Sequence, residues 1–169
     1  MLKSAAEVLE TDPRFADLVV ADAAGTRSLK FEDHHSIIAR LEIPTTASPN
    51  VRSAFDRARV CFLYAWFDYE LMVVAEAQAF ASLELALKER LGPAPTKKEQ
   101  LIGLRARLTA AVERGFLKPQ VTDGTDLYGQ MVRLRNDLMH GGADVHPPAF
   151  ATEIIRWCAE LFGELCSAP

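Results

Sequence analysis

The hydrophobic pattern divides the chain into an irregular start and a long helical remainder. Between Val51 and Leu91 there is neither proline nor glycine, and the segment is followed at once by Gly92-Pro93, residues that typically end a helix. Ser48-Pro49, just ahead of it, combines a good N-cap residue with a favoured first-turn residue. The pattern therefore predicts one helix of about 40 residues, roughly 60 Å long at 1.5 Å per residue.

The middle of this predicted helix, CFLYAWFDYELMVVAEAQAFASLELAL, is apolar on more than one side. A helix that is hydrophobic on several faces is buried on several faces. We therefore expect it to be the central helix of the fold or to extend into a partner. Trp66, Phe67 and Tyr69 are expected to be core or interface aromatics rather than a platform for stacking bases.

Three further helices follow along the chain. The capping-box spacing of Thr96-Lys97-Lys98-Glu99 predicts a helix from Lys97 to about Arg114. Its expected buried stripe consists of Leu101, Leu104, Leu108, Ala111 and Val112. Thr125 or Asp123 is expected to cap the next helix. Pro147-Pro148 begins a last helix of about 17 residues, with an apolar face of Ile154, Ile155, Trp157, Cys158, Leu161, Phe162 and Leu165.

The first 47 residues are the least regular part of the chain. Turn signals surround the short apolar run Leu18-Val19-Val20, and FEDHHSIIARLEIP fits either a short helix or a strand. The predicted architecture is accordingly all-α, an up-and-down bundle of four to five main helices over residues 48–169. It has one very long central helix, and residues 1–47 form an N-terminal extension.

Composition and charge narrow the function classes. The 169 residues are 49% hydrophobic and 25% charged, as in folded globular proteins. A net charge of −4 gives no overall basic footprint, so nucleic-acid binding would require a local patch. The start lacks a signal-peptide pattern, and acidic residues interrupt the most apolar stretch, so we expect a cytoplasmic protein without membrane insertion.

Neither a metal nor a cofactor is expected. The three cysteines, Cys61, Cys158 and Cys166, have no CxxC spacing and are expected to be reduced core thiols. Glu32-Asp33-His34-His35 contains metal-ligand residue types, but adjacent side chains point apart, so a capped surface turn is the expected structure. His146 is expected to be a loop residue rather than a ligand.

The helix that carries RLRNDLMHGG, residues 133–142, has two apolar patches. At 100° per residue, its core stripe consists of Leu127, Met131, Leu134 and Leu138. Arg133, Asn136 and His140 form a polar ridge. The second apolar patch consists of Tyr128, Val132 and Met139, with Arg135 at its edge.

The second patch requires another covering surface, either the N-terminal extension or a second subunit. A two-fold dimer would bring the two copies of this helix together. Arg135 and His140 lie about 140° apart on their own helix, so they converge poorly within one chain. Across a dimer, the arginine of one chain could reach the histidine of the other.

The residues of this helix suit chemistry at a phosphate. His140 lies in the last helical turn, where the helix dipole favours the imidazolium, so it can serve as a general acid or base. Arginine offers a fork of donors that suits a phosphate, and Asn136 can orient either group. The chain carries no P-loop, metal triad or nucleophile elbow. Metal-independent chemistry, or recognition of a phosphate, remains.

Arg135, Asn136, His140 and Gly141 resemble the RNxxxH signature of HEPN domains. These are small all-α domains, many of which are metal-independent ribonucleases of toxin–antitoxin, phage-defence and CRISPR-associated systems. The long aromatic-rich segment ahead of the motif is also similar to a helix of HEPN-like bacterial proteins. The resemblance covers roughly residues 50 to 166.

The resemblance implies that arginine and histidine from two subunits line one cleft. There His140 would help the ribose 2′-hydroxyl attack its own phosphodiester, Arg135 would stabilise the phosphate, and Asn136 would orient them. It also implies an acidic or polar residue on an earlier helix, for which Glu76 is the best candidate. Alternatively, Glu76 is a buried carboxylate satisfied by Arg105 or Arg107.

The leading hypothesis is a homodimeric, metal-independent endoribonuclease or toxin-like effector, supported by Arg133 on the ridge and by Glu76. The alternative is a non-catalytic HEPN-like module that binds a nucleotide, RNA or a protein such as an antitoxin. In a third, purely structural dimer, His140 only caps the last carbonyls of its helix. A solvent-reachable cleft shared by His140 and Arg135 of two chains would favour catalysis, whereas an Arg135 tied to an internal carboxylate, with no cleft, would favour binding or structure.

Overall fold

The computed structural model describes residues 3–93, 103–122, 124–141 and 144–167. After a 3-10 turn, Pro13–Phe15, comes the hairpin of β1 (Val19–Asp22) and β2 (Gly25–Ser28). The helices are α1 (Phe31–Ala39), α2 (Pro49–Tyr64), α3 (Leu71–Leu91), α4 (Gly103–Glu113), α5 (Leu127–Met139) and α6 (Pro148–Ser167). A second antiparallel pair, β3 (Val121–Thr122) with β4 (Thr125–Asp126), precedes α5. The fold is mostly helical, with these short strand pairs as the departure from an all-α protein.

The prediction of a single helix over residues 51–91 is wrong, because the chain turns at residues 65–70 between α2 and α3. Asp12 holds this turn: its N–H donates to the Trp66 carbonyl at 2.9 Å, and its carboxylate accepts from the Tyr69 N–H at 3.1 Å. Lys3 Nζ donates to the Phe67 carbonyl at 2.8 Å. Groups from the N-terminal extension thus satisfy backbone atoms that a continuous helix would have paired internally.

The expected start and centre of the bundle are present. The Ser48 side chain accepts the Val51 N–H at 3.2 Å and caps α2, with Pro49 in the first turn. Helix α3, which is shorter than the single long helix predicted, takes the central position, since it contacts α2, α4, α5 and α6. Its buried side chains face several directions, as the apolar pattern predicted.

The N-terminal extension packs into the same hydrophobic core as the bundle, to which it contributes Phe15, Ile38, Leu41 and Ala47. FEDHHSIIARLEIP begins with α1 rather than a strand. The surface turn expected for residues 32–35 is wrong, because these residues belong to α1 and His34 is fully buried. The His34 ring stacks on Phe62, and its Nε2 lies 2.8 Å from the Phe62 carbonyl oxygen.

The later helices agree with much of the predicted pattern. In α4, Leu104, Leu108 and Ala111 are buried and Val112 is partly buried. The predicted capping box at residues 96–99 and Leu101 lie outside the described residues. On α6 the predicted apolar face is buried, except that Trp157 is partly exposed.

The cap of α5 differs from both predicted candidates. Asp126 Oδ1 accepts the Gly129 N–H at 2.9 Å, so this residue caps the helix rather than Thr125. Asp123 lies outside the described residues. Thr125 instead pairs with Thr122 in the short strand pair that leads into α5.

The remaining side chains of the prediction have clear positions. Trp66 and Tyr69 are core aromatics, as predicted, and Phe67 packs partly buried against them. All three cysteines are free thiols, with Cys158 fully buried. In the described part of the chain, no helix is long and apolar enough to cross a membrane, and no cluster of His, Cys, Asp and Glu could hold a metal ion.

Candidate functional site

Helix α5 presents its predicted core stripe to the bundle. Met131 is buried, Leu134 and Leu138 pack partly buried against the core, and Leu127 is partly buried. The second apolar patch is covered at one end, where Tyr128 is buried and its hydroxyl donates to the Lys118 carbonyl at 2.7 Å. At the other end Met139 is 45% exposed. The exposed part of the second apolar patch is therefore next to His140.

Arg135 is anchored to α3 by a carboxylate that sequence reasoning missed. Its Nε donates to Glu84 Oε1 at 2.9 Å, its Nη2 forms an ion pair with the same oxygen at 2.8 Å, and Arg107 Nη1 donates to Glu84 Oε2 at 2.8 Å. The side chains of Glu84, Arg107 and Arg135 are 18%, 22% and 27% exposed. Two guanidinium groups on one carboxylate leave one net positive charge, and they fix the Arg135 side chain in one orientation.

Asn136 connects the arginine to the end of the helix. Its Oδ1 accepts from Arg135 Nη1 at 3.3 Å, and its backbone carbonyl accepts the His140 N–H at 2.9 Å. His140 and Arg133 are exposed, and Asn136 is half-buried. Within the described residues no hydrogen bond or ion pair joins Arg135 to His140.

The helix ends where the sequence places its glycine pair. His140 is the C-cap of α5. Gly141 follows with φ of +79°, a left-handed conformation that favours glycine. The exposed imidazole of His140 therefore lies at the C-terminal end of α5.

Glu76 is fully buried, and its partner is neither arginine that the sequence offered. Its Oε2 lies 2.7 Å from His146 Nδ1. Arg105 pairs with Asp126 at 2.6 Å and Arg107 with Glu84, so the expected pairing of Glu76 with either arginine is wrong. Burial raises the pKa of Glu76, although the hydrogen bond with His146 opposes that rise.

Sequence reasoning treated His146 as a loop residue without a role. It does lie in the connection before α6, but its ring contacts both Glu76 and Phe150, the latter edge-on at 4.7 Å. The one sequence signal for a packed position is that His146 lies just before the Pro147-Pro148 helix start, six residues after His140.

A cavity of about 110 Å³ lies between α5 and α6, away from the motif. Its walls include Leu127, Tyr128, Met131, Trp157 and Leu161. Leu127, Tyr128 and Met131 lie in the first half of α5, and Trp157 and Leu161 lie on α6. None of Arg133, Arg135, Asn136 and His140 lines the cavity. Within the described chain this cavity does not bring the motif residues together.

Comparisons of the sequence and of the structure with known proteins identified no relative. The chain matches no protein-family model, and searches of curated proteins and of solved structures found no match. The resemblance to HEPN domains therefore rests on the motif of α5 and the aromatic-rich segment ahead of it.

Proposed function

We propose that this protein is an HEPN-like, cytoplasmic, metal-independent endoribonuclease or toxin-like effector that acts as a homodimer. The observation that supports it best is the exposure of both motif side chains: His140 is exposed, and the Arg135 side chain remains 27% exposed although it is paired with Glu84, a pairing that by itself favours binding or structure. A donor group held in place before substrate arrives stabilises developing charge without reorganisation. The exposed His140, on the same helix, supplies the proton-transfer group.

The reaction that these groups suit is cleavage by the neighbouring ribose hydroxyl. His140 takes the proton of the 2′-hydroxyl, the O2′–phosphorus bond forms and the phosphorus–O5′ bond breaks. The products are a 2′,3′-cyclic phosphate and a 5′-hydroxyl end. The net positive charge of the Arg107–Glu84–Arg135 cluster stabilises the charge that builds on the phosphoryl oxygens.

The dimer is part of the proposal because the residues diverge on one helix. Arg135 and His140 are separated by about 140° around α5. The exposed Met139, beside His140, offers an apolar surface that a second copy of α5 would cover. Arg135 of one subunit and His140 of the other would then face one cleft.

A second candidate is a non-catalytic module that binds a nucleotide, RNA or an antitoxin protein. The ion pairs of Glu84 favour it, because they occupy three donor groups of the two arginines and offset one of their charges. In that case the cluster would hold a phosphate, or an acidic surface of a partner, without chemistry.

Cleavage of RNA in the presence of excess chelator tests the proposal. We expect cyclic phosphate ends, and a loss of about 100-fold or more in both Arg135→Ala and His140→Ala. His35→Ala, which removes an exposed histidine of α1, is the matched control and should retain full activity. RNA binding without cleavage would support the second candidate, and cleavage that persists in the double variant would contradict a role for α5.

A further inference from the structure

A second pair of proton-binding groups lies outside the motif, at the junction of α3 with the connection that precedes α6. Glu76 is fully buried, and its Oε2 lies 2.7 Å from His146 Nδ1. The His146 side chain is 25% exposed. One end of the pair is therefore enclosed in the core, and the other reaches the surface.

The pair is poorly explained as a stabilising contact. Glu76 Oε1 is buried and has no hydrogen-bond partner in the described chain. A buried carboxylate with an unsatisfied oxygen costs folding free energy, and most buried polar groups are fully paired. An under-satisfied acidic group beside a surface-reaching histidine is typical of a functional site.

The contacts of the His146 ring fix its orientation. Nδ1 faces the Glu76 carboxylate, and Phe150 packs against the ring edge-on with centroids 4.7 Å apart. Nε2 has no hydrogen-bond partner among the described residues, so it is the nitrogen left to meet a substrate. A glutamate on Nδ1 orients the ring and leaves Nε2 as the nitrogen that can pass a proton to a substrate.

The proposed ribonuclease reaction needs such a donor. His140 accepts the 2′-hydroxyl proton, but the O5′ atom that leaves phosphorus becomes an alkoxide unless it receives a proton as the bond breaks. His140 and His146 border the same connection between α5 and α6, residues 140–147. They are therefore separated by only six residues along the chain.

We infer that His146 is the general acid that protonates the 5′-oxygen of the leaving nucleotide, and that Glu76 is its positioning residue. The inference rests on the proposed ribonuclease function. The proton moves from His146 Nε2 to O5′ while the phosphorus–O5′ bond breaks, and His140 holds the proton taken from the 2′-hydroxyl. Proton exchange with solvent restores both histidines.

Two substrates with different leaving groups test this assignment. A dinucleotide loses an alkoxide that needs a proton, whereas uridine 3′-(4-nitrophenyl) phosphate loses a nitrophenolate that does not. We expect His146→Ala to lower dinucleotide cleavage about 100-fold and nitrophenyl ester cleavage by less than about 3-fold. Glu76→Gln should show the same selective defect at about 10-fold, since the amide can hold the His146 ring in the other tautomer. His140→Ala should lose both activities.

His146→Gln keeps a side-chain donor for Glu76, so it serves as a second variant if the alanine variant does not fold. His35→Ala is the control for removal of a histidine elsewhere. Equal losses on both substrates, or no loss on either, would overturn the assignment while leaving the ribonuclease in place. Absence of cleavage by the wild-type protein on both substrates would overturn the ribonuclease and this inference with it.

Discussion

Two of the three acidic residues of helix α3, Glu76 and Glu84, have sharply different surroundings. Glu84 is 18% exposed, and both of its oxygens accept hydrogen bonds from arginines. Glu76 is fully buried, contacts one histidine, and has one oxygen without a hydrogen-bond partner among the described residues. The first carboxylate has the surroundings of an anchor that fixes a neighbouring side chain. The second has those of a group that exchanges protons.

Replacing Glu84 should have the largest effect on stability. Glu84→Gln removes the charge from two charge-assisted hydrogen bonds and from the ion pair with Arg135 Nη2, and it leaves two half-buried guanidinium groups without their counter-ion. We expect the free energy of unfolding to fall by about 2 kcal/mol, a value that allows for their partial exposure to solvent. Chemical denaturation at neutral pH measures it.

Glu89→Gln is the matched control, because Glu89 lies on the same helix and is exposed. Its free energy of unfolding should remain within about 0.5 kcal/mol of the wild-type value. If Glu84→Gln were as mild as this control, Glu84 would not be the anchor of Arg135.

Glu76→Gln should change stability less, and in a pH-dependent way. Burial raises the pKa of Glu76, so the folded protein retains a proton that the unfolded chain releases above its ordinary value of 4.5. The wild-type free energy of unfolding should therefore fall relative to that of Glu76→Gln as the pH rises from 4.5 through the raised pKa. At neutral pH we expect the two proteins to agree within about 1 kcal/mol.

Denaturation curves of both proteins between pH 4 and 7 check this expectation. A Glu76→Gln variant that loses stability relative to wild type as the pH rises would show that Glu76 is stabilised as a carboxylate. Glu76 and Glu84 would then both be stabilised as carboxylates and would differ only in the strength of that stabilisation.

The smallest expected effect separates the two arginines on Glu84. Arg135 approaches Glu84 Oε1 with two nitrogens, through a hydrogen bond from Nε and an ion pair from Nη2, whereas Arg107 approaches Oε2 with Nη1. Lysine cannot place two nitrogens on one carboxylate oxygen, so Arg135→Lys should cost about 1 kcal/mol and Arg107→Lys about half of that. Equal losses in denaturation experiments would mean that the fork contributes nothing.

Sequence patterns predicted the features that depend on neighbouring residues. The Ser48 cap, the start of α6 near Pro147-Pro148 and the core stripe of α5 follow from spacing within a few turns of one helix. These features could be predicted because local hydrogen bonds and hydrophobic periodicity determine them.

Features that depend on residues far apart in the sequence could not be predicted. Nothing in the segment from Tyr64 to Leu71 signals a break, since the groups that satisfy its backbone come from Asp12 and Lys3. The partners of Glu76 and Arg135 lie 70 and 51 residues away along the chain. Burial of a lone charge could be predicted for Glu76, but the choice of its partner depends on how the helices pack.

The central proposal is a site completed by a second copy of the chain, and mixing two inactive variants tests it most directly. In a mixed dimer, the Arg135→Ala chain keeps its His140 and the His140→Ala chain keeps its Arg135. One of the two shared sites therefore has both wild-type groups, and the other has neither. After subunit exchange, half of the dimers would be mixed, so about a quarter of wild-type RNA cleavage should return in the presence of chelator. No recovery on mixing, or no cleavage by the wild-type protein, would contradict the account.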